Sequence, residues 1–188
     1  MTRLFKTLAP LILLFGSAAY AVPLLQLDPV GGSISGTAGS TIGWGFTITN
    51  LTDYAVVTSA DFQPPTPLGT FTDFIAQFNF IVVGPPPESP VVSQVFDDVL
   101  KTGIGSFAIN PGALPGQFAN GLIVLTYDLY SRSPNDPNFN PSTDTISVGN
   151  LLNADASVTV AEIPEPATWL FAAGGLTALL LSRFRRRE

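Results

Sequence analysis

The chain has 188 residues, 46% of them hydrophobic and 12% charged, with 17 Gly, 17 Pro, no Cys and no His. That is room for one domain with short accessory segments, folded without disulfides, and it excludes the commonest zinc sites, Ser-His-Asp and Cys-His catalytic devices and histidine-held haem. Residues 22–161 carry two basic and eleven acidic side chains, a balance that repels phosphate backbones and argues against nucleic-acid partners.

The first segment, "MTRLFKTLAPLILLFGSAAYA", sets Arg3 and Lys6 ahead of an apolar stretch and ends in the small-residue pattern Ala19-Tyr20-Ala21. Charge, apolar stretch and A-x-A follow in the order of a secretory signal peptide, with cleavage expected after Ala21. The apolar stretch is too short to span a bilayer by itself.

Residues 22–161 read as a β-rich exported domain. After a candidate strand at 24–28, the stretch "TIGWGFTIT" places Ile42, Trp44, Phe46 and Ile48 on one face and Thr41, Gly43, Gly45, Thr47 and Thr49 on the other. That period of two marks a half-buried strand, with Trp44 on its core face. Further candidates lie at 55–60, 78–83, 91–96 and 103–109. "GLIVLTYDLY" then puts Ile123, Leu125, Tyr127 and Leu129 on one side, and strands at 143–148 and 154–160 complete the series.

Between these runs stand "PPTP", "GPPPESP", "NPGALPG" and "RSPNDPNFNP", all turn formers. Short strands without a helical period make an all-β antiparallel sandwich the expected fold, immunoglobulin-like first and jelly roll second. Ten phenylalanines in this segment suffice to fill its core.

Three groups invite a chemical reading. In the loop "NDPNFNPSTD", Asp136, Asn138, Asn140, Ser142 and Asp144 place an oxygen-bearing side chain at every second position, as in the first half of a calcium loop. Pro141 stands where that pattern needs Gly and Ser147 where it needs a bidentate Glu, so a polar turn-rich loop is the competing reading and no metal ligand is assigned. Asp97 and Asp98 are two acids, the minimum for a glycosidase, but neighbours on a strand point to opposite faces and no aromatic subsite flanks them. No catalytic residue and no cofactor are expected. Tyr54 and Tyr130, near loop positions, stay open as sugar-stacking residues, and Asn50-Leu51-Thr52 matches a glycosylation sequon.

The chain ends in "EIPEPATWLFAAGGLTALLLSRFRRRE". Residues 167–182 are uncharged, and as a helix these sixteen residues would rise roughly 24 Å, slightly short of the ~30 Å hydrocarbon core. Trp169 suits the outer interface, while Arg183, Arg185, Arg186 and Arg187 hold the far end in the cytoplasm as a stop-transfer cluster. A buried helix of the domain is the poorer reading, because the stretch is apolar on every side. Pro164 and Pro166 keep the preceding backbone out of the helix.

A Pro-Glu-Pro motif, an apolar span and an Arg cluster at the extreme C-terminus, paired with a signal peptide, resemble the PEP-CTERM sorting signal of bacterial exported proteins. The resemblance covers residues 163–188, about one-seventh of the chain. It implies that Pro164, Glu165 and Pro166 are the motif recognised by an exosortase, a membrane-embedded cysteine protease-transpeptidase that cuts nearby and releases or re-anchors the protein. It also implies an inner-membrane-anchored precursor and a cell-surface or biofilm-matrix setting among extracellular polysaccharide. The expected organisation is therefore a signal peptide at 1–21, a sandwich at 22–161 and a sorting tail at 162–188. The leading functional expectation is a non-catalytic surface or matrix protein; a carbohydrate-binding module and a carboxylate-dependent hydrolase stand behind it.

Overall fold

The computed structural model describes residues 23–162. The signal-peptide site at Ala19 and Ala21, the motif Pro164, Glu165, Pro166, the apolar run and the four terminal arginines lie outside the described residues.

The described residues begin with β1 (Leu24–Asp28), β2 (Ser33–Gly36), β3 (Thr41–Thr49), β4 (Tyr54–Gln63) and β5 (Gly69–Asp73). A single helical turn, α1 (Ile75–Phe78), leads to β6 (Ile81–Val83), β7 (Val91–Gln94), β8 (Gly105–Ile109) and β9 (Phe118–Tyr130). A second turn, α2 (Pro141–Asp144), precedes β10 (Thr145–Val160). The strands form two sheets. One runs β1-β3-β8-β5, with β7 also on β3, and the other runs β2-β10-β9-β4-β6. Over residues 23–162 the architecture is mostly β, in two sheets, as expected from the sequence.

One pairing departs from the antiparallel expectation, since β2 lies parallel to β10. The cause is local. β1 ends at Asp28 and the chain turns at Pro29, Gly31 and Gly32, with the Gly32 N–H donating to the Pro29 carbonyl at 2.8 Å. It then continues in the same direction as β2, now in the other sheet and beside the last strand. Gly32 has φ +66 and lies so close to the β10 backbone at Asp155 that a side chain would collide with it. Only glycine meets both demands.

β3 is the organising strand. One of its edges carries β1, and the other is shared by β8 along residues 41–44 and β7 along residues 46–49. The segment between β7 and β8 therefore leaves the sheet as a small excursion, closed by reciprocal bonds between Asp97 and Thr102.

The inner faces of the sheets meet in a core built on Trp44, Phe46, Ile48, Phe62, Ile123, Leu125 and Val158. Trp44 is fully buried, stacks on Phe62 with centroids 5.7 Å apart and meets the edge of Phe107 at 6.4 Å. Its indole N–H donates to the Gly32 carbonyl at 2.7 Å, so the largest core side chain also meets its polar requirement.

A second cluster covers the outer face of β3. Gly43 and Gly45 leave that face bare, and a side chain on Gly43 would strike the Phe96 ring. Phe96 stacks on Phe74 at 6.2 Å, Phe78 meets Phe74 edge-on at 6.1 Å, and Lys101 Nζ sits 4.9 Å above the Phe74 ring. Asp73 anchors this annex. Its carboxylate accepts the Ala60 N–H of β4 at 3.0 Å and the Ile75 N–H at 2.7 Å, tying an edge of one sheet to the start of α1.

Candidate functional site

The two sandwich ends differ in chemistry. At the end where β4 begins and β9 finishes, Tyr54 and Tyr130 are direct register partners and share the outer face of their sheet. The Tyr54 hydroxyl is raised above its ordinary pKa, first by its hydrogen bond with the Glu88 carboxylate and then by burial. Burial, followed by the charge of Asp128, raises Tyr130, whose hydroxyl donates to Asp128 Oδ2 at 3.4 Å. Phe139 packs edge-on against Tyr130 at 5.2 Å. The two tyrosines left open by the sequence thus come together, half-buried, with a carboxylate at each hydroxyl. Glu88, Asp128 and Phe139 carried no signal of their own, because each reaches this place through a loop or a register the sequence does not display.

The oxygen-rich loop folds around an internal cation. Arg132 places one guanidinium nitrogen 3.5 Å from Asp136 Oδ2 and another 3.6 Å from Asp144 Oδ2. Asp136 also accepts the Asn138 N–H at 2.7 Å, and this bond, with Arg132 second among the favourable causes, holds its carboxyl below the ordinary range. Asp144 accepts the Asn140 N–H at 2.8 Å, while Asn140 caps α2 by accepting the Ser142 N–H at 3.0 Å. Asp136, Asn138, Asn140, Ser142 and Asp144 do share one loop, but its two carboxylates face backbone donors and Arg132. Among the described residues, no group of three or more His, Cys, Asp or Glu is placed to hold a metal ion.

The remaining candidates resolve into structural roles. Asp97 Oδ1 accepts the N–H groups of Val99 and Leu100 at 2.8 and 2.9 Å, whereas Asp98 pairs with Lys101 Nζ at 2.8 Å. Both acids serve the excursion between β7 and β8. Asn50 of the sequon is 1% exposed, and its amide nitrogen donates to the carbonyls of Asp53 and Val83, an arrangement that leaves no approach for a glycan. Trp44 belongs to the core.

The opposite end, where β10 finishes, is closed by the loops at residues 37–40, 64–68 and 110–117. The Gly39 N–H bonds the Ile109 carbonyl, the Asn110 N–H bonds Leu68, and Val160 and Gln117 join through their backbones. A groove of about 630 Å³ opens here, lined in part by Pro67, Leu68, Asn110, Ala113, Gln117 and Phe118. Among the described residues no helix is long and apolar enough to cross a membrane.

No protein-family model matches the chain, and no curated protein matches it. Two of the solved structures similar to the chain are these. WR4, a C. elegans member of the MSP family, is 11% identical, with a TM-score of 0.35 over 73% of this chain and 98% of that one. A chain of the complex between a CaDoc0917 variant and CaCohA2 at pH 5.5 is 20% identical, with a TM-score of 0.26 over 74% of this chain and 100% of that one. Likenesses of this size decide nothing about activity, and the architecture rests on the two sheets themselves.

Proposed function

We propose that this protein is a non-catalytic, exported cell-surface or matrix protein with an immunoglobulin-like sandwich, sorted through its C-terminal tail by an exosortase-like membrane enzyme. The order of Pro164-Glu165-Pro166, an uncharged run of sixteen residues and four arginines carries this reading. The placement of the described ends supports it. The chain enters the sandwich at β1, beside Thr49 at one end, and leaves after Val160 at the other. A cut near Ala21 or near the motif would therefore touch no core residue. The sequence lacks His and Cys, and the Asp97–Asp98 pair is engaged in a turn, which favours a structural role over hydrolysis.

Intact-mass analysis of the exported protein tests both ends at once. A mature chain beginning at Val22 and shortened near Pro164 is expected. An exported chain that retains Met1 and Glu188 would overturn the reading. Replacing Pro164, Glu165 and Pro166 with alanine should leave export intact while uncut protein accumulates at the inner membrane. If that variant is cut like the wild type, the tail is a plain anchor.

A second reading, carbohydrate binding to extracellular polysaccharide, is favoured by one observation: Tyr54 and Tyr130 meet on one sheet face beside Asp128 and Glu88. Aromatic faces with adjacent carboxylates suit sugar C–H surfaces and hydroxyls. Loss of polysaccharide retention in Tyr54→Ala and Tyr130→Ala variants that still fold would support it, and unchanged retention would dismiss it.

A further inference from the structure

The loops that close the β10 end, residues 37–40, 64–68 and 110–117, contain no Asp, Glu, Lys or Arg. The loops at the other end, residues 50–53, 84–90 and 131–144, carry Asp53, Glu88, Arg132, Asp136 and Asp144. At the uncharged end two large apolar side chains stand in solvent, Leu114 at 64% exposure and Phe118 at 68%. They flank the place where the chain departs, since Gly116 donates to the Val160 carbonyl and Ala161 donates to Gly36.

We infer that this end of the sandwich lies on a lipid surface, with Leu114 and Phe118 seated at the headgroup–acyl boundary. The inference rests on the reading of residues 167–182 as a membrane span. Only residues 163–166 separate Glu162 from that run, and four residues reach at most ~14 Å even when fully extended. The polar zone on each side of a bilayer is roughly 5–8 Å thick, so the departure end is held within a loop's height of the headgroups. The rest of the domain is acidic, and burying its carboxylates against the apolar acyl boundary would be costly. The end the tether draws to the membrane has loops without charge, Glu162 as the acid on the departing chain, and two apolar side chains to bury. From the Thr145–Tyr130 pair to the Thr159–Phe118 pair the thirteen residues of β9 rise roughly 40 Å, which keeps the acidic loops far from the lipid.

The chain has no cysteine, so each of four variants carries one labelled position. Full-length protein bearing Leu114→Cys, Phe118→Cys, Asn138→Cys or Ala178→Cys is labelled with an environment-sensitive fluorophore. Each variant is then reconstituted into phosphatidylcholine vesicles with brominated acyl chains. Labels at 114, 118 and 178 are expected to lose emission to the bromines, and the label at 138 to keep it. If 178 is quenched while 114 and 118 are not, the span stands and the lipid-facing end is overturned. If 178 keeps its emission, the span reading falls and this inference falls with it. Labels at 114 and 118 shielded from aqueous iodide yet untouched by bromine would mean that a second copy or residues 163–166 cover this end, which also overturns it.

Discussion

Two aromatic clusters hold the molecule together, one between the sheets and one on the outer face of β3, and different forces maintain them. The inner cluster of Trp44, Phe62, Phe71 and Phe107 is supplied by regular strands whose pleat points these rings inward. The outer cluster of Phe74, Phe96 and Phe78 comes mostly from irregular segments. Polar contacts place it: the Asp73 carboxylate, the cation of Lys101, and Asn79, whose amide donates to the Lys101 carbonyl at 2.8 Å. A pleat aims a side chain without further help, whereas a loop must be pinned before its ring can pack. Phe74 is as fully buried as Trp44, so burial alone does not separate the two clusters.

Substitutions sharpen that contrast. Trp44→Ala removes stacking from both sheets and one of the two hydrogen bonds that the Gly32 carbonyl accepts, the Ser157 N–H supplying the other, and it should cost about 3–5 kcal/mol in urea unfolding. Phe74→Ala should fall near the lower end of that range, about 3 kcal/mol, because the annex can collapse toward its solvent side. An equal or larger loss for Phe74 would make the annex, not the inter-sheet layer, the principal core. Asp73→Ala strips acceptors from the N–H groups of Ala60 and Ile75 and should cost about 1–3 kcal/mol. Hydrogen exchange should then quicken first at residues 74–80. If exchange rises evenly over both sheets instead, Asp73 is part of the general framework.

How much of this was legible in the sequence follows the same division. The alternation around Trp44 and Phe46 names strand, face and core at once. The candidate at 78–83 starts three residues early, because Asp73 caps a helical turn there and β6 begins only at Ile81. β2 and β5 went unread: Ser33–Gly36 is too short to show a period, and Gly69–Asp73 has mostly small or polar side chains behind a run of prolines. Strands expected at 143–148 and 154–160 are one strand. Gly149 sits at φ +68 within an irregular stretch of the β9–β10 register, which breaks the alternation while the backbone runs on. At the paired tyrosines the sequence marks both residues but not their meeting, which depends on the register of β4 against β9.

The smallest effect concerns pH. Asp136 is held below its ordinary carboxyl range of 3.8 mainly by the Asn138 N–H. Its contribution is therefore complete above that value and lost as pH falls through the lowered one. The group is exposed, so the expected result is local: amides of residues 131–144 lose exchange protection as pH falls through that lowered range, while those of β3 keep theirs. An Asp136→Asn variant should show no such step. A simultaneous loss throughout the chain would mean that acid acts on the whole sandwich.

The directions of the first and last strands set how the molecule bears load. A pull on residue 23 draws β1 toward one end, and a pull on residue 162 draws β10 toward the other. β10 runs parallel to β2 along residues 157–160 and antiparallel to the much longer β9. Tension along the axis therefore loads whole rows of backbone bonds in shear and does not unzip them one at a time. Rupture under force is governed by the unfolding rate, and shear geometry keeps that rate low. A sandwich tethered by its tail and gripped at its far end would act as a strut roughly 40 Å long that resists extension before it yields.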